Sequence, residues 1–163
     1  MWVFSLLPNI QPEMEGFDYI LQRQLKPVAR TDVKKILAEL EVKPTSMIDI
    51  SDGLASEVLH LSDHSNVGFH VYEDKLPMDP LTVSTAEDFN LNPSMAALNG
   101  GEDYELLFTV KPADYDKIKN HPDFTVIGHA VDLSQGNFLV DSGSNQLVQL
   151  NAQGWDAYLK RRD

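Results

Sequence analysis

Two glycines, two carboxylates and an alternating apolar run follow one another in Gly100-Gly101-Glu102-Asp103-Tyr104-Glu105-Leu106-Leu107-Phe108-Thr109-Val110. Tyr104, Leu106, Phe108 and Val110 alternate with Asp103, Glu105, Leu107 and Thr109. A strand with one face in a core requires that period, and a slip of one residue would turn its whole apolar set outward. The spacing predicts a strand with the Tyr104, Leu106, Phe108 and Val110 face buried. Ahead of it the glycines permit left-handed backbone or close chain approach. Glu102 and Asp103 are then either solvated turn residues or carboxylates on a rigid mount, which a binding site needs.

A second acidic cluster, Asp49-Ile50-Ser51-Asp52-Gly53-Leu54, lies upstream. Ser46–Ile50 reads as a short buried strand, and Gly53–Leu61 returns to helical periodicity through Leu54, Val58 and Leu61. The cluster is therefore a strand-to-helix turn. Asp49 stands between two isoleucines, where a carboxylate is costly unless it leaves the strand's end or is paired. Ser51 or Asp52 is a natural helix cap. The alternative is chemistry with magnesium and phosphate, because hard cations choose oxygen ligands. A helix start attracts anions, but carboxylates beside it would repel phosphate unless a cation intervened.

Several other chemistries find no support. No Gly-Lys-Ser or Gly-Lys-Thr occurs, so Walker-type phosphate binding is excluded. No Gly-x-Ser-x-Gly elbow occurs either. Without cysteine there is no disulfide framework, thiolate zinc site or cysteine nucleophile, and a cytoplasmic setting is the default. His60 and His64 are four apart on the expected helix but lack a third ligand, so both read as surface residues. The formal charge of −12, with no basic stripe, argues against nucleic acid and favours cations as go-betweens to anionic substrates.

The remaining pattern gives helices over Glu13–Leu25, Asp32–Glu41 with Thr31 as N-cap, Leu81–Phe89, Pro93–Leu98, Asp114–Lys119 and Trp155–Arg161. Strands are expected over Val67–Tyr72, Phe124–Ala130, Asn137–Val140 and Gln146–Leu150. The last three follow one another through short turns and are expected to be antiparallel neighbours. The fold class is α/β (α+β), a mixed, partly antiparallel sheet with helices packed on it. At 163 residues one compact domain is expected. The opening apolar segment from Met1 to Leu7 is neither a signal peptide nor a membrane span. It is expected to belong against a surface of a longer protein.

The two acidic strings, with Leu98-Asn99 leading into the second about fifty residues after the first, resemble the C-terminal half of thiamine-monophosphate kinase, within the aminoimidazole ribonucleotide synthetase-like superfamily. Gln24-Leu25-Lys26-Pro27, Leu76-Pro77 and Gly154-Trp155 are similar too. The resemblance implies an ATP-dependent enzyme that converts thiamine monophosphate to thiamine diphosphate with Mg2+. It implies that Asp49 and Asp52 hold the metal, that Ser51 contacts the nucleotide, and that Glu102 and Trp155 contact the thiamine phosphate, Trp155 by stacking. It further implies that residues 1–30 are an interdomain segment and first helix, and that 31–163 form the C-terminal catalytic and substrate domain. An N-terminal domain carrying most of the nucleotide site and the dimer surface has no counterpart here, so this chain alone is expected to be inactive. The alternatives are another ATP-using synthetase of the superfamily and a non-catalytic thiamine-phosphate-binding module.

Overall fold

The structure, a computed structural model, describes residues 25–152. The helices expected over Glu13–Leu25 and Trp155–Arg161 lie, Leu25 apart, outside the described residues. Within them the order is α1 (Asp32–Glu39), β1 (Ser46–Asp49), α2 (Leu54–Ser65), β2 (Gly68–Tyr72), α3 (Pro80–Asp88), α4 (Pro93–Asn99), β3 (Leu106–Thr109), α5 (Tyr115–Ile118), β4 (Gly128–Val131), β5 (Asn137–Val140) and β6 (Leu147–Gln149). Both α3 and α4 start as their sequences dictate. Asp79 and Asn92 accept from the backbone N–H of Leu81 and Met95, and proline fills the first turn of each helix. Thr31 precedes α1 as expected but makes no capping bond with its side chain.

The strands form two sheets. β1 and β3 make an antiparallel ribbon, while the second sheet runs β4-β2-β5-β6. Here the expected adjacency of the last three strands needs correction, because β2 sits between β4 and β5, antiparallel to the first and parallel to the second. Of the last three strands, β5 and β6 alone are antiparallel neighbours. The reason is burial: Phe69 and Val71 of β2 are core residues, and a central position pairs the backbone on both of their edges. Gly128 lets β4 lie close, since a Cβ there would stand 2.2 Å from the His70 carbonyl. On the other side, the Asn137 amide accepts from Phe69 N–H at 2.9 Å and donates to the buried Ser62 hydroxyl at 2.9 Å. Ser62 in turn donates to the Val67 carbonyl at 2.6 Å. This part-buried polar chain ties β5 to β2 in its observed register.

Two apolar clusters sandwich the β1–β3 ribbon. Leu54, Val58, Leu61, Phe69, Val71, Leu98 and Leu139 make the larger, and Ile48 and Leu107 pack on it from the ribbon. Val33, Leu37, Val42 and Ile118 make the smaller, met by Leu106, Phe108 and Val110 from the ribbon's other side. The expectation of a single buried face on β3 is thus corrected: both faces pack, because α1 and α5 bring a second cluster of their own. Tyr104 lies ahead of the strand and is 38% exposed. The strand expected over Phe124–Ala130 shrinks to Gly128–Val131 for a related reason. Phe124 turns to meet Phe108 edge-on at 5.3 Å in the smaller cluster instead of joining a ladder.

Arg30 ties the smaller cluster's entry to the second acidic string. Its guanidinium donates to Glu105 at 2.8 Å and to Asp32 at 3.0 Å, and lies 3.8 Å from Asp123. These pairs are partly solvated, so Arg30→Ala is expected to cost about 1 kcal/mol in urea unfolding. The pH dependence has a definite sign. Asp32 is held below its ordinary carboxylate range, chiefly by its hydrogen bond from Arg30. Glu73 is held low mainly by the Ser142 backbone N–H. Groups depressed in the folded state stabilise it above the unfolded value, about pH 4, and lose that contribution as pH falls through the folded value. Arg30→Ala is therefore expected to narrow its gap from the parent protein as pH drops from 6 to 3.

Candidate functional site

The two acidic strings are bonded backbone to backbone. Beyond the Asp49–Leu106 register pair, Ile50 N–H donates to the Glu105 carbonyl at 2.8 Å and Tyr104 N–H to the Ile50 carbonyl at 2.9 Å. Glu102 N–H reaches the Ser51 carbonyl at 2.7 Å. The ribbon thus continues into a composite loop that joins the backbone of the Asp49–Asp52 turn to that of Glu102 and Tyr104. Glu102 and Tyr104 take left-handed backbone, at φ 66° and 52°. Such conformations cost of order 1–3 kcal/mol each in non-glycine residues and persist only where surroundings over-determine them. The three cross-loop bonds do that here.

Glycines make the fit possible at two points. A Cβ on Gly101 would stand 2.6 Å from the Ser51 carbonyl. Gly53, at φ 111°, starts α2 against the end of α4, where a Cβ would meet the Leu98 carbonyl at 3.0 Å. The strand end of β1, the start of α2 and the end of α4 thereby converge just before Gly100.

Side chains divide cleanly around this loop. Asp49, Asp52 and Glu102 are exposed, Ser51 is half-buried, and Glu57 on α2 is buried at 3% exposure. The capping role open to Ser51 or Asp52 is not taken: Gly53 is the N-cap and receives no side-chain bond. Instead the helix reaches back to the loop. Glu57 accepts from Ser51 Oγ and from Asp52 N–H, each at 3.2 Å. Sequence reasoning missed Glu57, although a signal was present, since it stands three residues after Leu54 and four before Leu61 on the inward stripe of α2. Trp155 lies outside the described residues. His60 and His64 are exposed, and His64 Nδ1 pairs with the His60 carbonyl at 2.9 Å, in keeping with a surface role.

Asp49 and Asp52 supply hard oxygen donors on one turn at a strand's end. Among the described residues no three or more metal-ligating side chains converge. That donor set fits magnesium, which is held through one or two carboxylates with waters and substrate phosphates completing its shell. It does not fit a zinc centre, which needs nitrogen or sulfur ligands in a closed set.

Residues 13–141 match the family described as AIR synthase related protein, C-terminal domain. The chain belongs to this family. Among relatives of this AIR synthase-related chain, the thiamine-monophosphate kinase of Aquifex aeolicus is 38% identical over 106 residues, covering 64% of this chain and 34% of the relative. The solved structure of AaThiL complexed with AMPPCP and TMP superposes with a TM-score of 0.75 at 31% identity, over 96% of this chain and 47% of that one. The Escherichia coli hydrogenase maturation protein HypE shares the fold, with a TM-score of 0.61 at 18% identity over 86% of this chain and 46% of its own. The mixed α/β class expected from sequence is thus that of the family. The chain spans less than half the length of the curated relatives it matches. No helix among the described residues is long and apolar enough to cross a membrane.

Proposed function

We propose that this chain is the C-terminal half of an ATP-dependent thiamine-monophosphate kinase, transferring the γ-phosphoryl group of ATP to thiamine monophosphate to give thiamine diphosphate. The observation that carries the reading is the composite loop, in which two distant acidic strings are laced by three backbone bonds into one mount for exposed carboxylates. The likeness to the AaThiL complex with AMPPCP and TMP supports it. In this reading residues 1–30 join the domain of residues 31–163 to an N-terminal domain that supplies most of the nucleotide site and the homodimer surface, and the enzyme works in the cytoplasm.

The acceptor shapes what the residues must do. A phosphate monoester is already anionic and nucleophilic, so the obstacle is bringing two polyanions into line rather than removing a proton. An acceptor oxygen attacks the γ-phosphorus, the bond to the β–γ bridging oxygen breaks, and ADP leaves with that electron pair. Transfer is direct, with no phosphorylated form of the protein. Asp49 and Asp52 would hold Mg2+, which would supply positive charge to offset that of the phosphates. Ser51 contacts the nucleotide. Glu102, fixed by its left-handed backbone, orients the thiamine phosphate, and Trp155 stacks on its ring.

The test is formation of thiamine diphosphate from thiamine monophosphate, ATP and magnesium by the chain with a matching N-terminal half. Product is expected only when both halves are present. Absence of product from folded, associated halves would refute the reading, as would equal turnover by the chain alone.

A further inference from the structure

Glu57 is a carboxylate at 3% exposure in the first turn of α2. Burying such a group is costly unless specific donors meet it. The helix's own dipole favours a negative charge at this end, yet its two donors come from outside the helix, the hydroxyl of Ser51 and the backbone N–H of Asp52. Both belong to the turn that carries the proposed metal ligands. A serine hydroxyl has one proton and two acceptor lone pairs. With that proton directed at Glu57, Ser51 has only acceptor capacity left for whatever occupies the loop.

We propose that Glu57 is a positioning residue that clamps the Asp49–Asp52 turn and sets the polarity of Ser51, so that Ser51 meets its ligand as an acceptor. This inference rests on the reading of the loop as a magnesium and nucleotide site. It assigns Ser51 to a donor group on the ligand, such as a hydroxyl, an N–H or a cation-bound water, and not to a bare phosphate oxygen. Asp52 is aimed by its own backbone, which Glu57 holds from beneath. Glu57 engages the backbone N–H of Asp52 and not its carboxylate, which is exposed.

The test uses the 163-residue chain with Mn2+ as the probe, its affinity read by electron paramagnetic resonance and the turn read by amide hydrogen exchange. In Glu57→Ala, exchange of the Asp52 amide is expected to accelerate tenfold or more while amides from Val58 to Leu61 keep their protection. Mn2+ affinity is expected to fall about tenfold, equivalent to about 1.4 kcal/mol. Glu57→Gln, which keeps an acceptor of the same shape, should preserve the Asp52 amide protection. Ser51→Ala should add little in the Glu57→Ala background. Unchanged Asp52 exchange in Glu57→Ala, or equal loss of protection throughout α2, would overturn the clamp and leave Glu57 a packing residue. Asp49→Asn separates the two levels: if it leaves Mn2+ binding unchanged the metal reading fails, whereas the exchange experiment still decides the clamp.

Discussion

Asp49→Asn is expected to lower the rate of thiamine diphosphate formation by at least a hundredfold in the two-half enzyme, with the melting temperature of the chain unchanged or raised. The two effects part because Asp49 is exposed at the end of β1 and forms no part of either apolar cluster. Asparagine matches its shape but gives up a full negative charge and one anionic oxygen. Charge stabilisation of a transferring phosphoryl group is worth several kcal/mol, so losing one proposed metal ligand has room to cost that factor. Removing an exposed carboxylate from a chain of formal charge −12 also relieves self-repulsion. Steady-state rates across a magnesium titration check this. A shift in magnesium demand with full rate at saturation would assign Asp49 to affinity, while an undiminished rate at every concentration would remove it from the site.

Gly101→Ala is expected to damage stability and activity together. Its new Cβ would meet a backbone oxygen of Ser51 at 2.6 Å, and backbone cannot swing aside as a flexible side chain does. Overpacking of this kind costs about 1–3 kcal/mol. The relief available is to spread the two loops, which strains the Glu102 N–H bond to Ser51 and moves Glu102 away from Asp52. Urea unfolding of the chain should show the lower midpoint with an unchanged slope. Activity in the two-half enzyme should fall at least tenfold at temperatures where the variant is fully folded. A variant with parental midpoint and rate would mean that the strings do not dock this closely.

The local elements of this fold are written plainly in the chain. Asp79-Pro80 and Asn92-Pro93 announce α3 and α4, and the alternation through Leu106 and Phe108 announces β3. What the sequence could not convey is which partner each apolar face meets. Phe124 and Val126 have strand composition, yet Phe124 packs on Phe108, because a cluster formed by α1 and α5 stood ready for it. The parallel pairing of β5 with β2 depends on Asn137 reaching Phe69 N–H and Ser62, a long-range polar chain that no local pattern encodes. The site shows the same division. Both acidic strings stood out as motifs, but that Ser51 and Asp52 bond to Glu57 and do not cap α2 appears only once α2 is folded against the loop.

The ribbon that carries the loop pairs residues far apart in the chain, Ser46 bonding to Thr109 across 63 positions. Its first strand leaves the ribosome long before its second. Closing so large a loop costs entropy before any contact repays it, and topologies of this kind fold slowly. The carboxylate mount therefore does not exist in a nascent or half-folded chain. It is complete only once Ser46–Asp49 has paired with Leu106–Thr109. Capture of a divalent cation at this loop would accordingly report the completion of folding, which makes a metal probe added during refolding a clock for the last step.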